Sequence, residues 1–79
     1  MKNGMREILD SLVQIVELHQ GISHKDLEIK LSGHFHTTPI NDILEVISMA
    51  SQDGLVKRIE YKSNNQLRAF YLPILSRLE

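Results

Sequence analysis

The fold is decided by residues 54–73, which read Gly-Leu-Val-Lys-Arg-Ile-Glu-Tyr-Lys-Ser-Asn-Asn-Gln-Leu-Arg-Ala-Phe-Tyr-Leu-Pro. Here β-branched and aromatic residues alternate with charged ones, which is typical of strands. Polar residues 63–66 separate two such runs and predict a turn. Pro73 is expected to stop the second run, because proline cannot donate to a strand ladder. The pattern predicts a β-hairpin over about residues 55–72.

Three helices are predicted before the hairpin, over about residues 5–19, 24–32 and 39–53. Each contains apolar residues at helical spacing. Ser23 and Asp26 have the spacing of a capping box at the start of the second helix. Thr38 and Pro39 are typical of the cap and first residue of the third. A glycine follows each helix and is expected to end it: Gly21, Gly33 and Gly54.

The third helix is predicted to turn its apolar residues inward, and these are Ile40, Ile43, Leu44, Ile47 and Ala50. Val46 is expected to pack under the hairpin or the second helix. The short extended segment 21–23, between the first two helices, is a candidate for an additional short strand.

This order of elements resembles that of winged helix-turn-helix domains over about residues 5–73. The resemblance is carried by Gly21-Ile22-Ser23, Thr38-Pro39-Ile40 and Asp53-Gly54-Leu55-Val56-Lys57-Arg58. The last run is similar to the link that leads from the third helix into the first wing strand in many such domains. In that link Gly54 would adopt a backbone conformation that favours glycine, and Leu55 would fill the core between the helices. The resemblance implies an α+β fold in a single domain, residues 1–79, with a three-helix helix-turn-helix core and a C-terminal two-stranded wing.

In members that bind DNA, the third helix enters the major groove and the wing contacts a flanking region. The outward residues of the third helix are expected to be Asn41, Asp42, Glu45, Ser48, Met49 and Gln52. Asn41, Ser48 and Gln52 are candidates for hydrogen bonds to base edges. The face has no Lys or Arg to attract phosphates, so we expect it to add little affinity. It is alternatively a solvated face, or a protein-binding one that uses Asp42, Glu45 and Met49.

The net charge of −1 is unevenly distributed. Residues 1–56 contain four bases and eight acids, whereas residues 57–79 contain five bases and two acids. Positive potential is therefore expected in the last third of the chain. The candidate nucleic-acid-binding residues of the wing are Lys57, Arg58, Lys62, Asn64, Asn65 and Arg68. Alternatively, these charges only keep an edge hairpin soluble. At least one of Tyr61, Phe70 and Tyr71 is expected to pack on the helices.

Several function classes are not indicated by the sequence. The chain contains no Cys, which excludes disulfides and thiolate metal sites. His34 and His36 could start a metal site, but no third ligand is placed beside them. No catalytic or phosphate-loop motif occurs, so we expect neither an enzyme, nor a cofactor, nor a small-molecule substrate. No apolar run is long enough to span a bilayer. We expect no membrane partner and a cytoplasmic or nuclear location.

The sequence favours a module of transcription control that binds DNA weakly and mainly through its wing. The alternative is a protein-interaction module of a larger transcription or nucleic-acid assembly, which docks through the third helix. A homodimer is a further possibility, with a seam at the first helix or at Ile74, Leu75 and Leu78. The DNA hypothesis requires that the acidic side of the third helix faces water. It also requires that the four bases of the hairpin gather positive potential.

Overall fold

The computed structural model describes residues 3–74, which form three helices and a three-stranded antiparallel sheet. The helices are α1 (Asn3–Leu18), α2 (His24–His34) and α3 (Ile40–Gln52). The strands are β1 (Ile22–Ser23), β2 (Val56–Ser63) and β3 (Gln66–Pro73). In the sheet order β1-β3-β2, β3 is the central strand. The prediction of an α+β fold with a short additional strand at residues 22–23 is confirmed.

The core lies where the three helices meet one face of the sheet. Its most deeply buried side chains are Ile8, Leu12, Val16, Leu27, Leu31, Ile43, Val46, Ile47, Ala50, Val56 and Tyr71. The burial of Val46 confirms that this residue packs inward. Ile40, which was also predicted to face inward, is 44% exposed because it is the first residue of α3. Tyr71 is the one aromatic residue among Tyr61, Phe70 and Tyr71 that is fully buried.

The two ends of α2 differ in how well local sequence predicts them. Ser23 is the N-cap, and its Oγ accepts a hydrogen bond from the backbone N–H of Asp26 at 3.1 Å. The predicted cap is therefore confirmed. Gly33, however, does not end the helix, which continues to His34. The C-cap is Phe35, whose N–H donates to the carbonyl of Leu31 and whose side chain packs against the core. An aromatic residue that packs on the core, and not the predicted glycine, therefore occupies the C-cap position.

The start of α3 also differs from the prediction. Pro39 is the N-cap, with an extended ψ of 143°, so helical geometry begins only at Ile40. The carbonyl of Pro39 accepts hydrogen bonds from the N–H groups of Asp42 and Ile43. Thr38 does not cap the helix, because no side-chain cap is present and its own N–H donates to the carbonyl of Phe35 in the preceding turn.

The hairpin is confirmed, and its turn is a tight one. Asn64 and Asn65 have positive φ angles of 51° and 66°, and Ser63 pairs with Gln66 across them. Two consecutive residues with positive φ form the type I′ turn that suits the twist of a hairpin. Asparagine tolerates this region better than most side chains, which explains the pair of asparagines at the tip.

The link from α3 to the hairpin corrects one expectation drawn from the resemblance. Gly54 does adopt a positive φ of 76°, as expected. Leu55, however, is 41% exposed, whereas Val56 is 2% exposed and belongs to the core. Since β2 begins at Val56 and side chains alternate along a strand, the residue that faces the helices is Val56. Leu55 therefore does not fill the helical core.

Candidate functional site

The strand pairing divides the hairpin into two faces. Partners opposite each other in an antiparallel pair place their side chains on the same face. The inner face, toward the helices, contains the pairs Val56–Pro73, Arg58–Tyr71, Glu60–Ala69 and Lys62–Leu67. The outer face contains the pairs Lys57–Leu72, Ile59–Phe70, Tyr61–Arg68 and Ser63–Gln66. The buried residues Val56, Ala69 and Tyr71 identify the inner face.

The four basic residues of the hairpin are divided between these two faces. Arg58 and Lys62 lie on the inner face, and Lys57 and Arg68 lie on the outer face. The prediction that the four gather on one positive surface is therefore wrong. The physical reason is the two-residue period of a strand, which sends neighbouring side chains such as those of Lys57 and Arg58 in opposite directions.

Arg58 is held in a hydrogen-bonded cluster on the inner face. Its Nη1 donates to the hydroxyl of Tyr71 at 2.6 Å, and its Nε donates to Oε2 of Glu60 at 2.7 Å. Nδ1 of His24, the first residue of α2, lies 2.9 Å from the same hydroxyl. The tautomer of the His24 ring determines which of the two groups donates in this contact. The Nε2 of that ring lies 4.0 Å from Oε1 of Glu28.

The electrostatics of this cluster make Arg58 a structural residue. Its hydrogen bond to Glu60 is the largest cause that raises the pKa of Arg58 above its ordinary value, so the guanidinium stays charged. Burial raises the pKa of Tyr71, because a phenolate would lose its hydration there. The charge of Arg58 is offset by Glu60, and its Nε and Nη1 donate within the hairpin. Tyr71 in turn connects the hairpin to His24 at the start of α2. The prediction that Arg58 contacts nucleic acid stays a prediction, and of the four cations this one has the most contacts inside the domain.

The other three basic residues of the hairpin have a different environment. Lys57, Lys62 and Arg68 are exposed, and within residues 3–74 none of them forms a salt bridge or a side-chain hydrogen bond. Asn64 and Asn65 are exposed at the tip between them. These five residues can approach a polyanion without breaking any interaction of the folded domain.

The water-facing side of α3 is a narrow polar stripe, which we call the α3 stripe and which consists of Asn41, Glu45, Ser48 and Gln52. Two of its members already bond to each other, since Nε2 of Gln52 donates to Oγ of Ser48 at 3.2 Å. Asp42 is half-buried at the edge of the stripe. Neither Asp42 nor Glu45 forms a salt bridge within the described residues. The expectation that the third helix turns uncompensated carboxylates toward water holds for Glu45 and in part for Asp42.

Met49 lies beside this stripe and was a candidate for contact with a partner. The side chain is half-buried and packs against the hydrophobic core. Most of its apolar surface is thus already used inside the domain, which leaves the charged and polar residues to define the outer side of α3.

The outer face of the sheet contains a feature that sequence reasoning did not identify. The rings of Tyr61 and Phe70 stack with centroids 5.4 Å apart and planes only 7° from parallel. Tyr61 remains 49% exposed, and Ile59 beside it is also exposed. The sequence contains a signal that could have identified this pair. A two-residue turn at Asn64 and Asn65 determines the pairing of the two strands, and the pairing determines the face on which each side chain lies. Pairing outward from this turn places Tyr61, Ile59 and Phe70 on one surface.

Other candidate sites contribute less. An open groove of about 720 Å³ separates the start of α2 from β3, and its lining includes Lys25, Asp26 and Arg68. Residues 3–74 contain no group of three or more His, Asp or Glu side chains placed to hold a metal ion. In the same part of the chain, no helix combines the length and apolar character needed to cross a bilayer. Of the predicted dimer seam, Ile74 is half-buried, and Leu75 and Leu78 lie outside the described residues.

Comparison of the chain with protein-family models, curated proteins and solved structures found no match. The hairpin offers three unpaired cations and an exposed aromatic pair, and α3 offers an acidic and polar stripe.

Proposed function

We propose that the chain is a winged-helix domain of transcription control that binds duplex DNA weakly and mainly through the β2–β3 hairpin, which acts as the wing. The order of helices and strands, with α2 and α3 joined by the turn at residues 35–39, supports this assignment. The central position of β3, paired with both β1 and β2, anchors the hairpin to the helical core. The domain would act as a binding module in the cytoplasm or nucleus, without catalytic activity, a cofactor or a membrane partner.

The observation that carries this proposal is the set of exposed cations of the hairpin that form no salt bridge within residues 3–74: Lys62 and Arg68 beside the asparagine tip, and Lys57 near the other end of β2. These cations do not share one face, so the proposal requires that the hairpin reaches phosphates with both of its faces. Affinity for DNA comes largely from cations that displace counterions from phosphates. The α3 stripe contains no cation, and the carboxylate of Glu45 would be repelled by phosphates at the rims of a groove. The wing therefore supplies the affinity, while Asn41, Ser48 and Gln52 add limited readout of base edges.

A salt titration of binding to a labelled DNA duplex tests this proposal. Three phosphate contacts predict that log K falls with log salt concentration with a slope of about −2.7. Lys62→Gln is expected to reduce the size of that slope by about 0.9, because one contact is lost. Absence of binding at low salt would contradict the proposal, as would a slope that Lys62→Gln leaves unchanged.

A second candidate function is docking of a protein partner on the outer side of α3, within a larger transcription or nucleic-acid assembly. It is favoured by the carboxylates of Asp42 and Glu45, which have no cationic partner among residues 3–74. A basic protein surface would supply the missing counter-charge. Under this alternative Glu45→Lys abolishes partner binding, whereas under the DNA proposal it leaves duplex binding unchanged or strengthens it.

A further inference from the structure

The outer face of the hairpin differs in chemistry from the rest of the surface. Its eight residues contain two cations, two stacked aromatic rings and two aliphatic side chains, and they include no carboxylate. The single acid of the hairpin, Glu60, lies on the inner face and is bonded to Arg58. The outer face thus combines uncompensated positive charge with exposed π surface.

We propose that this outer face binds single-stranded nucleic acid, with an unpaired base stacked on Tyr61 and the backbone phosphates close to Lys57 and Arg68. This inference rests on the proposed nucleic-acid function in one respect, since both use cations of the hairpin. It goes further because it assigns a role to the exposed aromatic pair and a different class of ligand.

The aromatic pair is built in a way that suits stacking. Phe70 lies parallel to the Tyr61 ring at 5.4 Å, so it holds the ring in one orientation and covers one side of it. About half of the surface of Tyr61 remains exposed. Every nucleic-acid base has a flat π surface, and stacking on such a ring is strong and tolerant of sequence. Ile59, which pairs with Phe70 across the strands, extends the apolar floor beside the ring.

The two cations bracket this aromatic centre. Arg68 is directly opposite Tyr61 on β3, and Lys57 lies four positions before Tyr61 on β2. Four residues of strand span about 13 Å. A strand of nucleic acid that runs along β2 over Tyr61 would therefore have Arg68 beside the stacked base and Lys57 further along its path. The neighbouring groove adds little net charge, since its Lys25 is adjacent to Asp26.

The stacking contact distinguishes this ligand from a duplex, whose phosphates the same two cations could also contact. Bases inside a duplex are stacked on one another and cannot reach a ring on a sheet, so stacking on Tyr61 selects unpaired bases. An acidic protein segment would also be attracted by Lys57 and Arg68. It would bury an aliphatic side chain at position 61 as readily as an aromatic one, whereas a stacked base requires the ring.

The test measures fluorescence anisotropy of a short labelled oligothymidylate with the full chain at low salt. We expect binding with a slope of log K against log salt of about −1.4, which corresponds to two phosphate contacts on a single strand. Tyr61→Leu is expected to weaken binding about tenfold, and Tyr61→Phe to retain it. Lys62→Gln, at the same tip but on the inner face, is the matched control and is expected to leave this binding unchanged. Circular dichroism shows whether each variant is folded.

Three results would overturn the inference: no binding of the oligonucleotide, equal binding by the Tyr61→Leu and Tyr61→Phe variants, or a concentration-dependent dimer that Tyr61→Leu dissociates. The last would show that a second copy covers the outer face. Measurements of the unmodified chain with both ligands separate this inference from the proposed function. Absence of duplex binding alone contradicts wing-led duplex binding, and absence of oligothymidylate binding alone overturns the single-strand site.

Discussion

The two faces of the hairpin have similar residue compositions but different contacts in the folded domain. Because side chains alternate along each strand, each face has two basic residues and at least one aromatic residue. On the inner face, Arg58 is bonded to Tyr71 and Glu60, and Tyr71 is fully buried beside His24. On the outer face, Tyr61 and Arg68 remain available to a ligand. A charged or aromatic residue of the hairpin can therefore meet a ligand only where contacts within the domain leave its side chain exposed.

The largest expected contrast between the faces is in the stability of the two tyrosine variants. Tyr71→Ala removes a buried ring from the core and is expected to lower the free energy of unfolding by about 3–5 kcal/mol. Tyr61→Ala removes a half-exposed ring and is expected to cost about 1 kcal/mol or less. Urea denaturation followed by circular dichroism measures both. Similar losses for the two variants would erase the distinction between the faces.

A smaller effect is expected from the hydroxyl of Tyr71 and its response to pH. Tyr71→Phe is expected to cost about 1 kcal/mol at neutral pH, because Arg58 and His24 lose a shared partner. Since folding raises the pKa of Tyr71 above its ordinary value of 10.0, the neutral phenol stabilises the fold at lower pH. That contribution is complete below the unfolded pKa and is lost as pH rises through the folded one.

The corresponding measurement is urea denaturation of both proteins at a series of pH values. The stability advantage of the unmodified chain over Tyr71→Phe is expected to shrink above about pH 10. Because Tyr61 and the lysines are common to both proteins, the difference isolates Tyr71. An advantage that stays constant into strong alkali would mean that burial does not disfavour the phenolate.

The smallest contrast concerns the two arginines. Arg58→Lys is expected to cost about 0.5–1 kcal/mol, because an ammonium group cannot donate to Glu60 and Tyr71 with the geometry of a guanidinium. Arg68→Lys on the outer face is expected to change stability by less than about 0.5 kcal/mol. Thermal denaturation of the matched pair checks this. An equal loss of stability in the two variants would contradict a structural role for Arg58.

Local sequence predicted most of the fold because the signals that set its elements are short in range. Ser23 caps α2 through an N–H three residues away, and two asparagines are sufficient for the hairpin turn. Prediction was less accurate where packing on the core matters, as at Gly33, where the helix continues to His34 and Phe35 packs on the core. Of the candidate site, the exposed residues of α3 and the tip were identified, but the division of the cations was not.

The sequence by itself determined where the helices and the hairpin lie, which end of the chain is basic, and that α3 exposes no cation. Only the tertiary structure decided which hairpin residues a ligand can reach. A shift of one residue in a strand exchanges its two faces, so whether Leu55 or Val56 enters the core also decides the side taken by Arg58 and Tyr61. The contact that occupies Tyr71 comes from His24, 47 residues earlier, and such pairing arises only when the helices pack against the sheet.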